Sequence, residues 1–288
     1  MKKILLTGGR GFFASRFADF YRTSYEILAP GHKELDVTDE ASVQKLVKDF
    51  RPDVILHTAA VASTEYCNAH PDIAHRINVD GAVYLAGAAK ENHAKMIFIS
   101  SEQVFNGNAE AGPYKETDRA VPDTVYGQTK LEAEGRLKDI LPELWIVRFT
   151  WLFGLPQRGC GMSGEILWGT LQSVLQNKQI RASKNEFRGM TYVHEMVENI
   201  VKLFNLPYGT YHLGAENLKS RYEIVQEILE EMGLSDRLPE LLTEDTVKYA
   251  ARARDIRLDT AKACAAGLVF SDTSTAIRKC LKEYKLNA

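Results

Sequence analysis

The stretch Lys3-Ile4-Leu5-Leu6-Thr7-Gly8-Gly9-Arg10-Gly11-Phe12-Phe13-Ala14 decides how the rest of the chain is read. Its aliphatic run predicts a strand over Lys3 to Thr7, and the pattern from Phe12 to Tyr21 predicts a helix that opens at once. In the turn between them Gly8 permits a tight bend, and Gly11 lets the backbone approach a pyrophosphate. The following helix N-terminus offers amide N–H groups to an anion. Ala14 stands where close helix–strand packing needs a small residue. Gly8, Gly9, Arg10, Gly11, Phe12 and Phe13 are therefore the candidate cofactor loop.

Outward from this loop, short apolar runs alternate with amphipathic stretches. Strands are predicted at Tyr25 to Ala29, Val54 to His57, Lys95 to Ser101 and Leu144 to Phe149. Helices are predicted at Asp39 to Phe50 behind a Thr38 cap, at Pro71 to Asn92 as one long element, and at Val125 to Lys138. The alternation predicts an α/β fold, a Rossmann-type doubly wound parallel sheet. It occupies residues 1–150, with later segments near 190–215 returning to it. After the Gly-rich GLPQRGCGMSG at 154–164 the pattern changes, and residues 151–288 read mainly as a smaller substrate-binding lobe.

Composition narrows the function. The 288 residues carry 36 Lys+Arg against 38 Asp+Glu, a net charge of −2, which provides no field for a nucleic-acid backbone. The apolar run at Ile4 to Leu6 is too short for a signal peptide, and no stretch is long enough to span a membrane. Cys67, Cys160, Cys264 and Cys280 are scattered without metal-ligand spacing, and they read as reduced thiols of a cytoplasmic protein with no metal site.

The nicotinamide cofactor is read from LAPGHKELDVTD at 28–39. It has no acidic residue where a free ribose 2′-hydroxyl would be held, whereas Arg10, His32 and Lys33 supply cations. NADP(H) is the preferred cofactor on this reading and NAD(H) the other possibility. Asp36 and Val37 reach the adenine edge if the loop folds back. Tyr126-Gly127-Gln128-Thr129-Lys130 places a phenol and an ammonium one helical turn apart, and a cation there is expected to pull the phenol pKa down from about 10. Ser101, at the end of its strand, sits where open parallel sheets hold ligands. No GxSxG elbow is present, and His57 reads as a core or cleft-wall residue.

These residues, with ELDVTD at 34–39, TEYCNAHPDIAHRINVDGAVYLA at 64–86, FISSEQVFNG at 98–107, PYKETD at 113–118, YGQTK at 126–130 and RFTWLFG at 148–154, resemble the extended short-chain dehydrogenase/reductases. Within them the pattern is similar to the dTDP-4-dehydrorhamnose reductase branch. The resemblance implies reduction of a keto group on a sugar nucleotide, with Ser101, Tyr126 and Lys130 as the catalytic set. It also implies that Tyr126 and Lys130 border the cofactor, that Lys130 holds the nicotinamide ribose, and that the backbone at Ala59 and Ala60 lies beside it.

The departures concern the substrate. Ser101-Glu102-Gln103 replaces the Thr-Asp-Tyr of that branch, and Arg188-Gly189-Met190-Thr191-Tyr192-Val193 is more similar to the RxFxYV signature of nucleotide-sugar epimerases and dehydratases. Glu102, Gln103, Trp151 and Arg188 are thus the candidate substrate contacts, Arg188 as a diphosphate clamp. Glu65, Arg252 and Arg254 are further candidates for the cleft, and Asn68 stands where the branch commonly has an acid. Because Glu102 follows the catalytic serine, an epimerase or dehydratase is the alternative enzyme. A non-catalytic NADP-binding subunit, like the related regulatory subunit of methionine adenosyltransferase, is the alternative of another class. The helices Pro71 to Asn92 and Val125 to Lys138 are the expected homodimer interface.

Overall fold

The apolar runs form β1 (Lys3–Thr7), β2 (Glu26–Leu28), β3 (Val54–His57), β4 (Lys95–Ser101) and β5 (Leu144–Phe149). The shorter strands β6 (Trp151–Phe153), β7 (Ile180–Ala182), β8 (Glu186–Phe187), β9 (Met190–Tyr192), β10 (Gly209–Leu213), β11 (Leu242–Glu244) and β12 (Arg254–Asp255) follow. The computed structural model describes residues 1–286. One six-stranded sheet has the order β2-β1-β3-β4-β5-β10, and every pairing in it is parallel. This is the doubly wound Rossmann-type sheet that the alternation predicts, with its last strand drawn from Gly209–Leu213.

Alternate residues of each strand enter opposite layers. On β1, Ile4 and Leu6 pack with Phe13 and Phe17 of α1 (Phe12–Phe20), whereas Leu5 joins Val43 and Val47 of α2 (Glu40–Phe50) on the other face. The strand order reverses between β1 and β3, and a ligand crevice belongs outside the carboxyl ends there. The two strand ends are latched together. Thr7 Oγ1 accepts from the amides of Thr58 and Ala59 at 3.2 and 3.3 Å and lies 2.7 Å from His57 Nδ1.

Two predicted elements differ in detail. Asp39, not Thr38, caps α2, because its carboxylate accepts from Ala41 N and Ser42 N while the Thr38 hydroxyl is donated to Asp36. The single helix expected from Pro71 to Asn92 is continuous to Glu91 but carries a π-turn. After α3 (Thr64–Ala69), α4 (Pro71–His75) passes through a π-turn at Arg76–Asp80 into α5 (Gly81–Glu91). The π-turn aims the fully buried Asn78 at a loop: its Oδ1 accepts from Val61 N at 2.8 Å, and its Nδ2 donates to Val61 O and Thr129 Oγ1, both at 3.1 Å.

After α6 (Val125–Ile140) in the chain, β6 pairs with β9, β7 with β11 and β8 with β12; residues of β6, β8, β12 and α9 (Arg221–Glu231) wall a cleft, and α7 (Ile166–Leu175) and α8 (Val193–Ile200) belong to the same half of the chain. The Gly-rich segment before α7 turns back onto α1. Buried Arg16 donates to the carbonyls of Leu155 and Gly161 at 2.9 and 2.7 Å, and Ser15 Oγ accepts from Gly161 N at 2.9 Å.

Candidate active site

The glycine loop has the shape an anion needs. Gly8 adopts φ +69°, and a Cβ there would lie 2.9 Å from the Ala59 backbone, so β1 and β3 close on each other only with glycine at this point. The first backbone bond of α1 runs from Ser15 N to Gly11 O, which leaves the amides of Phe12, Phe13 and Ala14 without intrahelical partners at the mouth of the crevice. A dinucleotide pyrophosphate fits these groups. Ala59 and Ala60 lie at the β3 end opposite the loop. Asp36 is exposed, and its Oδ1 accepts from Thr38 N and Oγ1, while Val37 is buried against the Gly81 backbone of α5.

Ser101 ends β4, and its hydroxyl accepts from Gln103 N at 3.2 Å, capping a 3-10 turn over Glu102–Phe105. Thr124 caps α6 in the same way, accepting from Gly127 N at 3.2 Å. Gly127 makes the approach of α6 possible, because a Cβ there would stand 2.5 Å from Gln103 O. Tyr126 is thereby brought beside the Ser101 hydroxyl, close enough for the two to influence each other. Lys130, one turn on, is buried with Nζ 4.0 Å from the Phe98 ring centroid.

The electrostatics differ from the expectation for the tyrosine. Burial pushes the Tyr126 phenol up to about 12, outweighing the lowering influence of the neighbouring Ser101 hydroxyl. Burial also pulls the Lys130 ammonium down to about 7, against the attraction of Glu134. The lysine therefore does not drive the free tyrosine toward phenolate: desolvation dominates both groups, so Tyr126 keeps its proton. His57 is a buried wall residue stacked on Phe98, held near 3 by burial and the Lys130 charge.

Beside this set opens a cleft of about 860 Å³ whose walls include Gln103, Thr124, Trp151, Arg188, Arg221 and Arg254. Glu65 and Arg252 line it too. Arg188 stacks over Trp151 at 4.6 Å from the ring centroid, and Arg221 lies over the same ring at 5.7 Å. Arg254 donates to Gln103 Oε1 at 2.8 Å and to Glu186 Oε1 at 2.9 Å. Burial alone would raise the Glu186 pKa, but Arg188, Arg221, Arg254 and Lys248 together hold it below the usual glutamate value.

Glu102 departs from its expected place among the substrate contacts. It has no exposed surface, its Oε1 accepts from Arg188, and its Oε2 is buried without a partner among the described residues. Arg188, expected as a free diphosphate clamp, already carries this carboxylate, and Arg254 is committed to Glu186 and Gln103, whereas Arg221 and Lys248 meet Glu186 only at 3.4 and 4.0 Å. Burial raises the Glu102 pKa against the pull of Arg188 and Arg254. Asn68, in the place of an acid, ties α3 to α6 by accepting from Val125 N at 3.1 Å.

Comparison with known proteins gives the family and the fold's relatives. Residues 1–286 match the family described as RmlD substrate binding domain. The chain belongs to that family. The spore coat polysaccharide biosynthesis protein SpsK of Bacillus subtilis is 30% identical over 247 residues, 85% of this chain and 84% of that protein. A dTDP-4-dehydrorhamnose reductase of Aggregatibacter actinomycetemcomitans is 29% identical, covering 96% of this chain and 98% of that one. Among solved structures, the dTDP-4-dehydrorhamnose reductase of Bacillus anthracis in complex with NADP superposes with a TM-score of 0.87 at 24% identity, over 98% of this chain and 99% of that chain.

Within this RmlD family member, three residues of the site escape a reading of the sequence. Asn78 and Glu134 lie on helix faces that pass for ordinary core and solvent positions, yet Asn78 pins Val61 and Thr129. Glu134 accepts from Ser100 Oγ and pairs with Arg148 at 2.7 Å, directly behind the serine strand. The third, Glu34, is separated from Arg10 by 24 residues but joined to it by an ion pair of 3.0 Å.

Proposed function

We propose that this protein reduces a keto group on a sugar nucleotide with a reduced nicotinamide cofactor, in a reaction like that of dTDP-4-dehydrorhamnose reductase. NADP(H) is the preferred cofactor and NAD(H) the second. The observation that carries the reading is the convergence of Ser101 at the end of β4 with Tyr126 and buried Lys130 on the first turns of α6, beside a cleft walled by Arg188, Arg221, Arg254 and Trp151.

The unpartnered amides of Phe12 to Ala14 would hold the pyrophosphate, and Lys130 the nicotinamide ribose. The bound nicotinamide supplies hydride to the keto carbon. Ser101 hydrogen-bonds the keto oxygen and fixes its position. Tyr126 gives that oxygen its proton, so the carbonyl becomes an alcohol. A cationic Lys130 stabilises the phenolate left behind, which solvent then reprotonates. The guanidinium groups around Trp151 suit a diphosphate, and the indole offers a flat surface for the rest of the substrate.

Glu102 supports the reductase over a dehydratase, because a carboxyl enclosed behind Arg188 is not placed to remove a proton from a sugar ring. The test is single-turnover oxidation of NADPH, and separately of NADH, followed by nicotinamide absorbance with a dTDP-4-keto-6-deoxysugar. Consumption of cofactor is expected, faster with NADPH. Tight binding of both cofactors with no consumption would refute the reductase. The working form on this reading is a cytoplasmic homodimer joined through α4, α5 and α6, and sedimentation of a monomer alone would remove that part.

A further inference from the structure

The edge of the crevice beyond β2 carries an arrangement that the run of cations there conceals. Arg10, third residue of the glycine loop, reaches across to Glu34, and its Nη2 donates to Glu34 Oε1 at 3.0 Å. The other carboxylate oxygen, Oε2, accepts from Gly31 N at 2.8 Å. Gly31 lies beneath the pair, since a Cβ there would meet both Arg10 Cγ and Glu34 Oε2 at 2.8 Å. The turn itself is tied to the loop, with Gly9 N donating to Pro30 O at 3.0 Å. Arg10 and Glu34 keep 79% and 50% of their side-chain surface exposed, so both are open to a ligand. His32 and Lys33, the other charged groups of this turn, are exposed as well.

In sheets of this kind the ribose of the adenosine half lies past the end of the second strand, where a carboxylate accepts from a free 2′-hydroxyl and a guanidinium pairs with a 2′-phosphate. Here both groups are present and bound to each other. We propose that Glu34 is a specificity-determining residue that competes with the 2′-phosphate of NADP(H) for Arg10 and serves NAD(H) as the hydroxyl acceptor. The inference rests on the cofactor reading above. With NAD(H), the carboxylate keeps Gly31 N and Arg10 and adds the ribose hydroxyl. With NADP(H), Arg10 must turn from Glu34 to the phosphate, and the nearby carboxylate repels it. The Glu34 carboxylate thus keeps both cofactors usable, and it lies six residues beyond the end of β2 at Leu28, not at the strand end itself.

The pair is exposed, and its replacement leaves the core untouched. Glu34→Gln keeps an acceptor for Gly31 N but removes the charge. It is expected to tighten NADPH about fivefold and to weaken NADH slightly, which raises the preference for NADPH about tenfold. Arg10→Ala is expected to weaken NADPH about tenfold and to leave NADH nearly unchanged. The measurement is titration of the full-length protein, without sugar substrate, by isothermal calorimetry with each reduced cofactor at low and high salt. The NADPH gain in Glu34→Gln should shrink as salt rises. If both affinities in Glu34→Gln move together, or neither moves, Glu34 does not discriminate and the proposal is overturned. If the wild-type protein binds neither cofactor, it is the cofactor reading itself that fails, which the same titration separates.

Discussion

Tyr126 is partly buried, and that burial sets its chemistry: at about 12 its phenol is protonated at any physiological pH, the state a proton donor needs before reduction begins. The expected Tyr126→Phe outcome is a loss of turnover of about 10²–10⁴-fold with NADPH affinity held within about twofold. Stopped-flow oxidation and a separate cofactor titration measure the two. Lys130→Met should damage both, because in the proposed reaction the ammonium would serve the ribose as well as the phenolate. YGQTK announces this pair through its spacing, but spacing carries no information on desolvation. The sequence alone therefore points to a lowered tyrosine pKa, where the enclosed site raises it and lowers that of the lysine.

Elements hold these residues in place through contacts that periodicity does not record. Ile73, Ile77, Leu85 and Ala89 read as one helical stripe from Pro71 to Asn92, and that stripe is compatible with an unbroken helix. What it does not show is the bulge at Asn78, whose amide meets Val61 and Thr129 from within a π-turn. Asn78→Ala is expected to cost about 1–3 kcal/mol, since it leaves the half-buried Val61 amide without its acceptor and takes from the Val61 carbonyl one of its two donors, Cys67 Sγ remaining, and to loosen the loop after β3. Urea midpoints measure the first effect, and faster amide hydrogen exchange at Val61 the second. Gly127 acts similarly between α6 and the serine turn, where the tight approach to Gln103 is visible only once the two are packed.

Across the whole molecule, burial of histidine makes stability depend on acid. His57 and His212 are both held near 3 by burial, His57 also by Lys130 and His212 also by Arg148. In the unfolded chain they take a proton near 6.5, so between about 6.5 and 3 the unfolded state binds more protons than the folded one. Each histidine therefore withdraws stability as pH falls through that window. With two amides already on its oxygen, Thr7 donates its hydroxyl proton to Nδ1 of neutral His57, a bond that protonation would break. His57→Gln removes this loss. Its stability deficit relative to wild type should shrink by on the order of 1 kcal/mol per pH unit between pH 6 and 4, followed by urea unfolding. A constant deficit would mean that His57 takes its proton in the folded state as readily as in the unfolded one.

The first five strands of the sheet, the glycine turn, the tyrosine–lysine pair and the strand-end serine were determined by the sequence itself, because each depends on the period and spacing of neighbouring residues, whereas the sixth strand, Gly209–Leu213, was placed only by the assembled sheet. The tertiary structure alone decided that Arg188 spends itself on Glu102, 86 positions away, that Arg254 bridges Gln103 and Glu186, and that Glu34 answers Arg10. These pairings join strand ends and loops that are remote along the chain and meet only when the parallel sheet is assembled. The pKa values follow from the same assembly, since desolvation is a property of everything packed around a group and not of the residues beside it in sequence.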